Sequence, residues 1–474
     1  MVSLPRRASR RVPPLAVGLL VAVACAGPAW PQALPSEARI APALSPEALS
    51  NGWLDERRDY GPAALIDHAL VVSELKRIAG SEPELFTLEE IGESVEGRAL
   101  QHLSFGRGPF PVLLWSQMHG DEPTATPALL QMAAYISRHR EDPAIAQMLG
   151  ALTIHMVPML NPDGARRFQR RNAQGLDINR DALLLQSPEG RALKALRDRL
   201  QPRLGFNLHN QNWRTTAGKT GRPASFALLS VAFDEARTVS AGRLLTKKTC
   251  AIIRDALEAF APGQVARYDD EFEVRAFGDN ITRWGTPVVL LETGPFGGPK
   301  PDEDVVRLNF VALMAALDAV ASGRVHEAGA ARYESLPVNE SGLFALLVRG
   351  AAIVTGTGVA PFIGDVGIGA LRAVRGEIDG DREFFQVLRV DDLGDLRVFS
   401  ALETIDAVGL YLAPDWDPVL EPGIEISVPD WTTVKASTPL APGAPANLVL
   451  LRSIGGDRYR VERVIESEKV IGRK

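Results

Sequence analysis

The stretch MHGDEPTATPALL, residues 118–130, decides the fold that we expect for this chain. It follows an apolar run at residues 112–115 and places His119 and Glu122 where that run ends. The apolar spacing that follows predicts a helix extending to about Tyr135. A strand that ends on polar residues and leads into a helix is typical of the sheet edge where α/β proteins collect functional groups.

The same alternation of strand and helix recurs along the chain. A hairpin is predicted at residues 85–106, with its turn near Glu96 and Gly97. Further strands are predicted at 111–116, 151–160, 204–209 and 286–292, and helices at 65–78, 189–200, 241–259 and 305–321. This order predicts an α/β fold with a mixed, mostly parallel sheet and flanking helices.

The pattern of apolar and turn-forming residues changes after about residue 327. Short apolar runs separated by Gly, Pro and Asp predict a small all-β domain there. A chain of 474 residues also exceeds one ordinary core, which favours two domains. We therefore predict a signal peptide at 1–26, a Pro/Ala-rich linker at 27–50, a catalytic α/β domain at 51–327 and a β accessory domain at 328–474.

The amino-terminal segment has the form of an export signal. Four arginines precede the apolar run LAVGLLVAVACA, which ends on a small-residue cleavage pattern at Ala24-Cys25-Ala26. The run is shorter than the ~20 residues that span a bilayer, so we expect no stable membrane span after cleavage. The mature protein is predicted to be periplasmic or secreted, while a general, twin-arginine or lipoprotein type of signal stays open.

Charge and cysteine content narrow the classes of function. The formal net charge is −6 and there is no long basic run, so nothing favours nucleic-acid binding. Cleavage after Ala26 leaves Cys250 as the only cysteine, which excludes an internal disulfide and a cysteine-based zinc site.

Histidines and glutamates end three of the predicted strands. His119 and Glu122 follow the first, His209 ends the second and Glu292 ends the third. Because functional groups gather at the carboxyl ends of such strands, we expect these four side chains to converge. His, Glu and His form a three-ligand zinc set that leaves a fourth position for water, and Glu292 is then free to move protons. One zinc ion per chain is predicted.

The segment RRNAQGLDINR, residues 170–180, supplies what a peptide substrate needs. Arg170 or Arg171 is placed to stabilise a developing oxyanion. Asn179 and Arg180 offer a clamp for a free carboxylate, since arginine presents a bidentate fork. Asp177 is a candidate to orient a ligand histidine. Each residue alone is weak support, and the fixed order of all of them is the signal.

The chain resembles a known family over roughly residues 55–322. MHGDE, MLNPDG, RRNAQGLDINR, FNLHN and LLETG look like the successive motifs of the M14 zinc carboxypeptidases, and IGESVEGRAL resembles the hairpin before the first of them. The resemblance implies that His119, Glu122 and His209 bind zinc. It also implies that zinc-bound water is the nucleophile and that Glu292 is the general base and acid.

The resemblance assigns further roles and leaves some open. It places the carbonyl-polarising arginine at Arg170, with Arg171 as the near alternative, and the carboxylate clamp at Asn179 and Arg180. Asp177 would support His119. Tyr268, the only tyrosine between His209 and Glu292, is the candidate for the family's mobile-loop tyrosine. The residue that sets side-chain preference falls within 275–280, which holds both Arg275 and Asp279, so the preference stays open.

Two departures from the family pattern stand out. Asp181 follows the Asn-Arg pair where the family commonly has asparagine, which adds a negative charge near a carboxylate site. His209 is followed by NQNWRTT rather than a serine-containing stretch, which leaves the subsite contacts open.

The region after residue 327 resembles the small β-domain that opens many amidohydrolases. All seven histidines of the chain precede Glu327, and no cysteine follows it. A histidine- or cysteine-based metal site is therefore excluded at 328–474. We expect this region to be structural or a binding accessory.

Three functions compete at this point. The first is a zinc carboxypeptidase acting on peptides or cell-wall stem peptides. The second is a zinc amidohydrolase, a deacylase of small N-acyl amino acids, and the third is a ligand-binding protein without catalysis. The complete segment from NPDG to Arg180 favours the peptidase over the deacylase, and an intact Glu292 speaks against the binding protein.

Overall fold

The computed structural model describes residues 43–376, 380–415 and 420–474. The predicted signal peptide and the first part of the predicted linker, up to residue 42, lie outside the described residues. The end of that linker is folded, because a helix begins at Pro46 and buries Leu49 and Trp53.

Helices and strands alternate up to about residue 321, and strands predominate after it. The helices are α1 (Pro46–Glu56), α2 (His68–Ser81), α3 (Ala125–Arg138), α4 (Pro143–Ala151), α5 (Pro162–Arg167), α6 (Pro188–Leu200), α7 (Ala241–Glu258), α8 (Phe277–Arg283), α9 (Pro301–Ala321) and α10 (Ala331–Glu334). The strands up to residue 293 are β1 (Phe86–Glu93), β2 (Ala99–Phe105), β3 (Phe110–Ser116), β4 (Leu152–Val157), β5 (Leu204–Asn210), β6 (Thr215–Ala217), β7 (Phe226–Ser230), β8 (Val265–Arg267) and β9 (Val288–Thr293). The later strands are β10 (Asn339–Ser341), β11 (Leu343–Ile353), β12 (Phe362–Gly376), β13 (Arg382–Gly394), β14 (Ser400–Asp406), β15 (Leu410–Pro414), β16 (Glu425–Ser427), β17 (Leu448–Gly455), β18 (Arg458–Ile465) and β19 (Glu468–Arg473).

The first sheet has the strand order β1-β2-β4-β3-β5-β9-β7-β8. Strand β3 runs parallel to β4 and β5, β5 runs parallel to β9, and β7 runs parallel to β8, while the remaining pairs are antiparallel. The prediction of a mixed, mostly parallel sheet is confirmed.

The centre of this sheet is buried on both faces. All six residues of β9 are buried, and β3 is a nearly continuous apolar run, as expected for a strand between two helical layers. Helices α3 and α9 contribute largely buried surfaces to the core on one face. Since β3, β5 and β9 are parallel neighbours, their carboxyl ends lie at one edge, and this edge carries the candidate site.

Several element boundaries differ from the predictions for local reasons. The strand predicted at 151–160 ends at Val157, because Pro158 has no N–H to donate to a ladder. The helix predicted at 65–78 begins at His68, where the Asp67 carboxylate accepts a hydrogen bond from the Leu70 N–H at 2.8 Å. Helix α4 and strand β7 had not been predicted.

A second, nine-stranded sheet occupies the carboxyl-terminal part, with β12 and β13 as its longest strands. It confirms the predicted β character of this region. Strand β10 pairs with β6 of the preceding part of the chain, and Arg372 on β12 forms an ion pair with Asp302 on α9. The boundary between residues 327 and 328 and the likeness to amidohydrolases stay predictions. None of the helices in the described residues has the length and apolar composition needed to cross a membrane.

Candidate active site

His119, Glu122 and His209 form a compact buried triad. Their candidate ligand atoms all lie within 4.8 Å of one another. His119 Nδ1 is 2.8 Å from one carboxylate oxygen of Glu122, and His209 Nδ1 is 2.7 Å from the other. The loop after β3 supplies the first two residues and the end of β5 supplies the third, as the sequence predicted.

The triad is strongly polarised. Burial lowers the pKa of His119, but the carboxylates of Glu122 and Asp177 outweigh burial and raise it to about 9. Burial raises the pKa of Glu122, yet the two histidines prevail and hold it well below its usual range. Burial keeps the pKa of His209 below its usual value. The triad therefore holds the ionised carboxylate of Glu122 between two imidazole rings.

These residues fit a zinc ion. Two imidazole nitrogens and a carboxylate are ligands that zinc takes in catalytic sites. His119 Nε2 lies 3.2 Å from Asp177 Oδ1, which is the arrangement by which a carboxylate fixes the orientation of a ligand histidine. Both Nδ1 atoms point at one carboxylate, so an ion among them would satisfy all three groups. Asp177 therefore lies beside the predicted ligand set, where the sequence analysis expected it to orient His119.

Glu292 lies next to the triad on β9. Its side chain is buried, and Oε2 has no hydrogen-bond partner. Burial, reinforced by the charge of Glu122, raises the pKa of Glu292 to about 8. A carboxyl group with a raised pKa near neutrality is suited to take and return a proton.

The structure separates the two neighbouring arginines. The Arg170 side chain reaches the triad, with Nε 3.0 Å from Asp177 Oδ2 and Nη1 3.3 Å from Glu122 Oε1. Arg171 is exposed and donates instead to the carbonyl of Gly175. Arg170 is therefore the arginine near the triad, and Arg171 is not.

Asn179 and Arg180 line the same cleft as the triad, a space of about 430 Å³. The Phe277 N–H donates to Asn179 Oδ1 at 2.9 Å, so the amide nitrogen of Asn179 stays available as a donor. Arg180 Nε lies 3.4 Å from the carboxylate of Glu273, and both side chains are about one-third exposed. The clamp residues are thus close to the triad, with one carboxylate already near Arg180.

Asp181 does not add charge to the cleft. Its carboxylate is buried and accepts hydrogen bonds from the N–H groups of Gln186 and Ser187 and from the Ser187 hydroxyl. It closes the loop before α6 instead. The departure from the family pattern therefore stabilises a turn.

Tyr268 and Asp279 also line the cleft. Burial, with the nearby charge of Glu292, raises the pKa of Tyr268 to about 12, so the phenol stays protonated. Burial raises the pKa of Asp279 to about 7. Arg275, the other candidate in the window 275–280, is exposed and pairs with Glu273. Of these two candidates, only Asp279 faces the cleft.

Sequence reasoning missed several cleft residues. Asn207 is fully buried, and neither its amide oxygen nor its nitrogen has a partner. It precedes His209 by two positions on β5, so strand alternation was a signal for it. Residues 339–341 of β10 also line the cleft, and the Asn339 amide donates to Gln211 Oε1 at 3.0 Å. Nothing local in the sequence marks β10, because its place depends on pairing with β6.

The family comparison matches this geometry. The zinc carboxypeptidase family model matches residues 71–223. This part of the chain is therefore similar to the zinc carboxypeptidases. The matched residues include the triad, Arg170, Asn179 and Arg180, whereas Tyr268 and Glu292 lie beyond them. The family is one of zinc enzymes, in agreement with the cofactor predicted for the triad.

Curated proteins are similar to this chain over a limited length. Carboxypeptidase E of Caenorhabditis elegans is 36% identical over 136 residues, which are 24% of this chain and 29% of that protein. Carboxypeptidase M of Mus musculus is 33% identical over 124 residues, 23% of this chain and 28% of that protein. The chain thus spans less than a third of the length of these two relatives.

Solved structures are similar at lower identity. A metallo-carboxypeptidase from Burkholderia cenocepacia is 20% identical, with a TM-score of 0.42 and coverage of 52% of this chain and 68% of that one. A metallo-carboxypeptidase from Pseudomonas aeruginosa is 18% identical, with a TM-score of 0.44 and coverage of 54% and 69%.

Proposed function

We propose that the whole protein is a zinc-dependent carboxypeptidase that hydrolyses the C-terminal bond of a peptide. One observation carries this proposal: a single cleft is lined by the metal triad, by an unpartnered buried Glu292 and by a carboxylate clamp at Asn179 and Arg180. A metal-dependent hydrolase needs the first two, and a carboxypeptidase also needs the third.

The residues around the triad divide the chemistry among them. His119, Glu122 and His209 would hold the ion, and Asp177 would keep His119 in one ring orientation. Zinc held there supplies a Lewis acid and lowers the pKa of water. Glu292 would take the proton of the attacking water and return it to the departing amine. The guanidinium of Arg170 would stabilise the negative charge that develops on the carbonyl oxygen.

The clamp defines which end of a substrate is cut. Arg180 offers N–H donors in a fixed fork that matches a carboxylate, and the amide nitrogen of Asn179 adds another donor. Tyr268 lines the same cleft and would cover the bound substrate. Its phenol would stay protonated. The free C-terminal carboxylate would replace Glu273 as the partner of Arg180, since a surface pair of this kind is worth only ~0–1 kcal/mol.

The amino-acid sequence also bears on where the enzyme acts, on which substrates it meets and on the role of the carboxyl-terminal region. The amino-terminal arginines and apolar run support export, so we place the enzyme in the periplasm or outside the cell. Peptides or cell-wall stem peptides are then the substrates within reach. The carboxyl-terminal β region, with its likeness to the amidohydrolase β-domain, would serve as an accessory domain.

Mass spectrometry of a defined peptide pool tests the proposal. Incubation with the zinc-loaded protein should shorten peptides by one C-terminal residue, and a chelator should stop this. Amidation of the peptide C-terminus should prevent cleavage, because it removes the group that Arg180 binds. Release from N-acyl amino acids with no release from a pentapeptide would favour the deacylase instead and would contradict the proposal.

A further inference from the structure

A second cavity, of about 320 Å³, adjoins the cleft that holds the triad. The two spaces meet at shared walls, formed by Glu122, Arg170 and residues 210–212. Arg180 and Tyr268 line only the cleft. A peptide whose C-terminal carboxylate lies at Arg180 would therefore cross the triad and extend its amino-terminal side into the second cavity.

The cavity has an apolar, aromatic wall built from distant parts of the chain. Trp213 comes from the loop after β5, Phe168 from the loop after α5, and Phe384 from β13 in the second sheet. The rings of Phe168 and Phe384 meet edge to face at 5.8 Å. Ala63, Ala64 and Val305 complete this wall. The remaining lining residues are mostly polar or charged, and a ligand site combines apolar surface with polar groups that fix orientation.

Three polar atoms in residues that line the cavity have no hydrogen-bond partner, namely Arg372 Nε, Asp121 Oδ1 and Asn210 Oδ1. The Arg372 guanidinium lies 3.5 Å from the ring centre of Trp213 and pairs with Asp302, but its Nε is buried and makes no hydrogen bond. Asp121 Oδ1 is likewise buried without a partner. An unused donor and unused acceptors are what a peptide unit, with its own C=O and N–H, would satisfy.

We propose that this cavity binds an apolar side chain of the substrate on the amino-terminal side of the cleaved bond, so that the second sheet takes part in substrate selection. The inference rests on the proposed function, because the direction of the peptide follows from the clamp at Arg180. Phe384 and Trp213 would pack against the side chain, while Asp121 and Arg372 pair with the backbone beside it. Peptides whose side chain in this cavity is apolar should be cleaved on the order of tenfold more efficiently than peptides with glycine at the same position.

A series of N-acylated tripeptides tests the idea. The C-terminal residue is kept constant, and each of the two residues before the cleaved bond is varied among Gly, Leu, Phe and Glu. The kcat/KM of the wild-type protein should favour Leu or Phe over Gly at one position by about tenfold, with Glu disfavoured. Equal values for Gly, Leu and Phe at both positions would overturn the inference.

Variants on neighbouring strands assign the effect to the cavity. Arg372→Ala and Phe384→Ala should each bring the kcat/KM ratio of the Leu or Phe peptide to the Gly peptide close to unity. Phe384→Leu is a milder substitution at a buried position and should retain part of the preference. Arg375→Ala is the matched control. Arg375 lies on the same strand as Arg372, packs over Phe385 at 4.7 Å and pairs with Glu383, yet it does not line the cavity. A preference that persisted in both Arg372→Ala and Phe384→Ala would contradict the proposal.

A binding measurement separates this inference from the proposed function. Calorimetric titration of the protein with the Phe-containing and Gly-containing tripeptides compares affinities at low temperature or in a Glu292→Gln background. Tighter binding of the Phe peptide, lost in Arg372→Ala but kept in Arg375→Ala, supports the cavity whether or not turnover occurs. Absence of cleavage in the wild-type protein, by contrast, would count against the proposed function alone.

Discussion

His209 and Glu292 are register partners on the adjacent parallel strands β5 and β9. Side chains of paired residues lie on the same face of a sheet, so the proposed metal ligand and the proposed proton carrier are held side by side by backbone hydrogen bonds. The distance between them in sequence is large, but their relative position depends on rigid strands rather than on a mobile loop. Such support suits a site in which small displacements are costly.

This arrangement predicts the behaviour of Glu292→Gln. The amide keeps the size of the side chain, so fold and zinc content should be retained, but it cannot accept and return a proton. Turnover should fall by about 10²–10⁴-fold, the usual contribution of general acid–base catalysis. Steady-state kinetics and elemental analysis of the same preparation measure both quantities. Near-normal turnover at full zinc occupancy would exclude Glu292 from the mechanism.

The triad predicts a graded loss of metal. His119→Ala, Glu122→Ala and His209→Ala should each abolish stoichiometric zinc, because each removes one of three protein ligands. Asp177→Asn should weaken zinc affinity or activity by roughly 10–100-fold, since it loosens the orientation of His119 without removing a ligand. Competition with a chromogenic chelator measures the affinities. His139→Ala is the control, because it removes a histidine that pairs with Glu56 and Asp142 rather than with the triad. A full zinc content in His209→Ala would show that His209 is not a ligand.

Sequence patterns predicted which side chains come together where each residue follows its own strand. His119, His209 and Glu292 all end apolar runs, and parallel pairing brings such ends together. Residues that reach the cleft through long-range pairing escaped prediction. The position of Asn339 depends on the pairing of β10 with β6, and the role of Asp181 depends on N–H groups of a turn that the sequence does not mark.

The ion pair between Arg180 and Glu273 predicts two opposite effects on substrate binding. Arg180→Ala should raise KM far more than it changes kcat, because the clamp acts in ground state and transition state alike. Glu273→Gln should lower KM by about two- to fivefold, since it removes a carboxylate that competes for Arg180. Glu271→Gln removes an exposed charge from the same cleft and is the control. An unchanged KM in Glu273→Gln would mean that the pair does not compete with substrate.

Arg170 should act on the rate rather than on binding. Its guanidinium lies beside Glu122 and Asp177, where it would meet the carbonyl oxygen as negative charge develops. Arg170→Ala should lower kcat by roughly 10²–10³-fold, the scale for one oxyanion donor. Arg171→Ala, one residue away and exposed, should leave kcat within about twofold of wild type. Equal losses in the two variants would contradict the separation of these arginines in the structure.

Asp279 predicts how stability depends on pH. Burial raises the pKa of its carboxyl group from the usual 3.8 to about 7, so between these pH values the folded protein holds a proton that the unfolded chain releases. The stabilising contribution of the protonated form is complete below about pH 3.8 and is lost as pH rises through about 7.

Asp279→Asn keeps an oxygen that can accept the Glu273 N–H at this site and carries no charge. In metal-free protein, urea unfolding should therefore show the variant gaining stability over wild type between about pH 5 and about pH 8. Each pKa unit corresponds to ~1.4 kcal/mol, so the gain should be measurable even if solvent moderates the shift. A constant difference between Asp279→Asn and wild type across this range would contradict a raised pKa at Asp279.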